Sequence, residues 1–134
     1  MFEATISYVT VNEKGDDKAV KERFICENSS SFSDVEAMLY EMYGDLTDFE
    51  VVAIKRSKLK EVANKRENEN QNVFVATLTD VFLQDDGSEK EMQYSIAFFS
   101  ENMDTAHTFI KEYSKQGYNM SIDGIKKTSF EEVL

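Results

Sequence analysis

The chain matches itself, and that constrains its fold more than any other feature. Slid by 72 residues, Ala4, Thr5 and Ile6 fall on Ala76, Thr77 and Leu78, Gly15 on Gly87, and Lys18 on Lys90. Later the offset becomes 71, and residues 53–62 fall on 124–133, with Ile54, Lys55 and Arg56 over Ile125, Lys126 and Lys127. Small loop insertions account for such a drift, because turns tolerate length changes that strands and helices do not. The sequence therefore predicts repeat one over 1–62 and repeat two over 72–134, joined by an exposed polar connector at 63–71.

Each copy reads β-β-α-β. In repeat one, residues 2–11 alternate with a period of two, placing Phe2, Ala4, Ile6 and Tyr8 on one side of a strand. A turn at 12–17 leads to a returning strand at 20–26, where Ile25 interrupts the alternation of Phe24 and Cys26. Ser33 and Glu36 have the spacing of a capping box. Val35, Leu39 and Met42 follow at helical spacing and Gly44 supplies a stop, which predicts a helix over 33–43. Residues 49–56 form a β-rich run, and 57–62 fit either a short strand or a helical turn. Repeat two follows the same order: strands at 73–83 and 92–99 around a turn at 84–87, a helix near 104–115, and a strand at 120–126. Leu39 and Tyr43 align with Phe109 and Tyr113, which marks a shared buried helix face.

One β-β-α-β unit offers a single apolar sheet face and one helix stripe, too little to stand comfortably alone. The expected architecture is an α+β fold: a tandem duplication of the unit around a pseudo-two-fold axis, with mainly antiparallel sheet and two helices, forming one domain over 1–134.

The charge is lopsided, with 26 acids against 15 bases and a net charge of -11. That favours solubility and works against general attraction to polyanions or anionic membranes. No apolar run is long enough to span a membrane and the start lacks signal-peptide character, which points to a cytoplasmic protein. A single cysteine, Cys26, allows no internal disulfide, and it aligns with Phe98, as a buried thiol would. The single histidine, His107, aligns with Ala37 and has no evident catalytic partner. Asp16, Asp17, Asp85 and Asp86 sit in turns without calcium-loop spacing, and there is no phosphate loop or nucleophile elbow. These features favour a non-enzyme without metal or cofactor.

The charge is reversed in one place. Lys55, Arg56, Lys58, Lys60, Lys65 and Arg66 stand against Glu61 alone, and Lys126 and Lys127 repeat the Lys55–Arg56 pair. Lysines on a strand edge can simply block unwanted pairing. They can also grip a nucleic-acid backbone, with aromatic side chains such as Tyr8 and Tyr94 stacking on bases.

Met1-Phe2-Glu3-Ala4-Thr5-Ile6, Phe49-Glu50-Val51-Val52-Ala53-Ile54-Lys55-Arg56 and the following residues 57–62 resemble an uncharacterised family of small acidic proteins from gut bacteria and their tailed phages. The resemblance covers nearly the whole chain. Some members are similar in context and size to single-strand-binding proteins of phage replication modules, including positive-cofactor-four and Whirly-type folds. Those folds place four strands before each helix, whereas this chain reads two before and one after. The resulting expectation is a non-enzymatic single-stranded nucleic-acid-binding protein, with Lys55, Arg56, Lys58, Lys126 and Lys127 on phosphates and Tyr8 and Tyr94 on bases. The alternative is a protein-interaction module, such as a phage accessory protein or host-directed inhibitor, whose acidic surface meets a basic protein partner. Exposed hairpin edges leave room for a homodimer.

Overall fold

A computed structural model describes residues 1–117 and 120–134. In chain order the elements are β1 (Phe2–Val11), β2 (Asp17–Cys26), α1 (Phe32–Tyr43), β3 (Glu50–Arg56), β4 (Leu59–Val62), β5 (Asn72–Leu83), β6 (Glu89–Ser100), α2 (Met103–Ser114), β7 (Met120–Lys127) and β8 (Phe130–Val133). The fold is α+β, with two four-stranded sheets ordered β3-β1-β2-β8 and β4-β6-β5-β7. The stretch after each third strand, left open between strand and helical turn, is a strand in both copies.

Two compact units result, Met1–Ser57 with Ser129–Leu134, and Lys58–Thr128. These boundaries depart from the repeats read in the sequence. The last strand of each repeat leaves its own sheet: β4 pairs in parallel with β6, and β8 in parallel with β2. Ala63 N–H donates to the Ala97 carbonyl at 2.8 Å, and at the matching place Leu134 N–H donates to Ile25 at 2.7 Å.

The first core follows from period two on β1 and 3.6 on α1. Phe2, Ala4 and Ile6 meet Phe24 and Cys26 across the β1–β2 ladder, and Val35 and Leu39 of α1 close over them. The second repeats this with Phe74, Ala76, Leu78, Ile96 and Phe98 under Ala106 and Ile110. The helices therefore align at an offset of 71. Leu39 corresponds to Ile110, one residue along from Phe109, which is half-buried and stacks on Phe98 at 4.9 Å. Ile25 in one sheet and Val73, Ala97 and Phe99 in the other are buried on the face away from the helix. Burial on both faces is why Ile25 broke the alternation, and why 96–99 is a continuous apolar run. Cys26 is a buried thiol, pushed up to about 11 by desolvation.

Local signals are realised with small shifts. α1 starts one residue before the expected position, and its cap is Ser31, whose Oγ accepts from Asp34 N–H at 3.1 Å. The reciprocal capping box occurs instead on α2, between Asn102 and Thr105. The hairpin turns place Gly15 and Gly87 at φ +82° and +83°, where side chains with a Cβ are strained. Gly87→Val is expected to cost about 1–2 kcal/mol in a urea melt.

The connector at 63–71 is exposed at 65 and 67–70, as expected, and is pinned at Asn64 and Arg66. The Asn64 side chain accepts from Phe99 N–H at 2.7 Å and donates to the Phe99 carbonyl at 3.0 Å, doing with an amide what a neighbouring strand would do. Arg66 donates to the Gln71 carbonyl at 2.6 Å, and its guanidinium lies 4.8 Å from the Phe99 ring centre.

Candidate interaction surface

Within each unit, the basic doublet expected to bind nucleic acid is split between the two faces of its sheet. Lys55 and Arg56 are consecutive on β3, so the pleat sends them to opposite faces of the sheet. Arg56 pairs with Phe2 on the α1 side, and its guanidinium lies 5.4 Å from the Phe2 ring and 5.5 Å from that of Phe32. Lys55 pairs with Glu3 on the other side, with Nζ 3.9 Å from a Glu3 carboxylate oxygen that also lies 3.7 Å from Arg23. β7 repeats the split, with Lys127 opposite Phe74 and Lys126 opposite Val75. The set is also divided between the units: Lys55 and Arg56 belong to the first, and Lys58, Lys126 and Lys127 to the second.

Cations near the rings are engaged with the protein's own aromatics. All three arginines lie over phenylalanines, since Arg23 sits 4.2 Å from the Phe130 ring in addition to the contacts of Arg56 and Arg66. Lys60 stands 4.1 Å over Tyr94.

The two tyrosines are likewise held. Tyr8 is half-buried against the first core and its hydroxyl donates to Glu22. That bond, assisted by burial, pushes the phenol up to about 12. Tyr94 packs against the second core and donates to Met120 Sδ at 3.6 Å; burial, then the charges of Asp80 and Glu61, raise it. At an offset of 72, Tyr8 and Glu22 become Asp80 and Tyr94, so the same diagonal across the hairpin carries a phenol and a carboxylate in exchanged places. Asp80 Oδ1 is buried without a hydrogen-bond partner among the described residues. The Tyr8–Glu22 bond needs a protonated phenol, so it contributes fully below pH 10 and is lost as pH rises through about 12. Alkaline melts should therefore lose stability across that window, with a shallower slope for Tyr8→Phe.

A different feature is open. β3 is an edge of its sheet, and between it and α1 runs a groove lined by Phe32, Ala37, Tyr40, Val51, Val52 and Ile54. Phe32, Tyr40 and Val52 are 45%, 51% and 45% exposed, large values for apolar residues lining one groove. A bulge creates part of it. The ladder steps from Thr5↔Ala53 to Ile6↔Val51, leaving Val52 without a partner on β1. The second unit has the same bulge at Asp123, but there the carboxylate accepts from Thr79 at 2.5 Å and Gln93 at 3.2 Å. At the same offset of 71, Ala37 and Tyr40 become Thr108 and Lys111. The copies thus share their cores and differ at this groove, a contrast that was present in the sequence but obscured by the one-residue slip in the helix alignment.

A family model described as "Domain of unknown function (DUF4494)" matches residues 1–134. The chain belongs to that family. No curated protein and no solved structure matches it. The resemblance to an uncharacterised family thus holds for this DUF4494 chain over its whole length. Among its described residues, no helix is long and apolar enough to cross a membrane.

Proposed function

We propose that this DUF4494 chain is a non-enzymatic protein-interaction module that takes an extended polypeptide onto the β3 edge, in the groove beside α1. The observation that carries this is the groove itself: an edge strand next to exposed Phe32, Tyr40 and Val52, whereas the matching edge β7 has Lys111 and Asp123 where the first repeat has Tyr40 and Val52. An edge strand offers unpaired N–H and C=O groups to an incoming backbone, and adjacent apolar positions select its side chains. Charge supports a protein partner over a polyanion, because the first unit holds 14 acids and 6 bases.

Single-stranded nucleic acid is the second reading, favoured by the exposure of Lys58, Lys126 and Lys127 in the second unit. The pair is separated by titrating a fluorescent single-stranded oligonucleotide at two salt concentrations, beside an array of extended peptides alternating apolar and polar residues. Peptide binding that is lost in Val52→Lys, with no salt-sensitive oligonucleotide binding, is the expected result. Oligonucleotide affinity that falls steeply with salt and disappears in Lys126→Glu/Lys127→Glu would overturn it.

A further inference from the structure

The edge of β3 is complementary to itself. Because of the bulge at Val52, Val51 and Ile54 both lie on the α1 face, paired with Ile6 and Ala4, whereas Glu50 and Lys55 lie on the other face, paired with Ser7 and Glu3. Lay a second β3 antiparallel to the first, about a two-fold axis between Val52 and Ala53. Glu50 then stands opposite Lys55 of the second copy and Val51 opposite its Ile54, each residue meeting one on its own face. Symmetry makes every such pair occur twice.

Resting on the strand-addition reading of this edge, we propose that the polypeptide taken by the groove is β3 of a second copy of this chain, giving a two-fold dimer whose sheets join edge to edge through the first unit. Phe32 and Tyr40 border the seam and lose exposure there, as an interface core requires. The corresponding edge, β7, fails the same test: at the same register Ser121 replaces Glu50, leaving Lys126 opposite no acid, and Asp123 is already bound by Thr79 and Gln93. A two-fold contact uses the β3 edge of both copies, so it closes at two copies. Repulsion between two chains of charge -11 is screened beyond about 8 Å at physiological ionic strength, so the short-range pairs decide the geometry.

Sedimentation equilibrium on the full chain tests this. A concentration-dependent dimer is expected. Glu50→Lys, which sets lysines face to face twice, should weaken it by about tenfold or more, and Glu50→Lys/Lys55→Glu should bring it back towards the original affinity. Restoration by the swap is specific to a second copy, because a different partner would meet both changes unaltered. A second variant guards against loss of fold. Glu50→Cys/Lys55→Cys should form a covalent dimer on oxidation, since five strand residues hold the two thiols of one chain roughly 16 Å apart, beyond disulfide reach. Cys26, buried, stays out of this chemistry. A chain that stays monomeric and does not cross-link, yet binds array peptides in a Val52-dependent way, overturns the second copy and leaves strand addition standing. One that neither dimerises nor binds peptides overturns both.

Discussion

Removing Ser129–Leu134 is expected to destabilise the first unit, not the repeat to which those residues belong in sequence. β8 pairs with β2 through Arg23↔Phe130 and Ile25↔Val133. Beyond it, Glu27 N–H donates to the Leu134 carbonyl at 2.9 Å and Leu134 N–H to Ile25 at 2.7 Å. Phe130 is 8% exposed and carries Arg23 on its ring. Loss of one buried aromatic and several backbone bonds amounts to about 4 kcal/mol, a large part of the stability of a small domain. Amide hydrogen exchange resolved by residue should show β1, β2 and α1 losing protection while β5, β6 and β7 keep theirs. Loss confined to β5–β7 would mean that β8 closes the other sheet.

Phe98→Ala is expected to be comparably damaging, at about 3–5 kcal/mol in urea denaturation. Phe98 is fully buried, with ring centres 6.0 Å from Phe74 and 4.9 Å from Phe109, so truncation removes both stacking contacts and leaves a cavity beneath α2. The matching position in repeat one is Cys26, equally buried but much smaller; there Phe24 stacks on Tyr43 at 5.2 Å. The two cores thus fill the same space with differently placed aromatics. A cost below about 1 kcal/mol would show that the second core collapses around the gap.

The repeat was legible because hairpins and helices are local: alternation on β1, glycines at the turns and the spacing of Val35 and Leu39 each act over a few residues. The exchange of closing strands was not. Leu59–Val62 and Phe130–Val133 are four residues each, and nothing in four residues distinguishes the sheet of its own repeat from the other. The basic doublets are split for a geometric reason. Neighbours in sequence look like a patch, but neighbours on a strand face opposite ways, so Lys55 meets Glu3 while Arg56 lies against Phe2. Polarity at 63–71 has two sources: residues 65 and 67–70 are exposed, whereas Asn64 bonds the backbone of Phe99. The groove could be found only by asking where the copies differ, at Tyr40 against Lys111 and Val52 against Asp123.

The most direct test of the β3 edge as the working surface is a backbone NMR map of the full chain, recorded while its own concentration rises and again while a single-stranded oligonucleotide is added. Shifts and slowed amide exchange at Glu50–Arg56 and along the groove face of α1 are expected as concentration rises, with the oligonucleotide leaving the spectrum unchanged. Unmoved β3 resonances together with shifts at Lys58, Lys126 and Lys127 on adding the oligonucleotide would contradict this expectation.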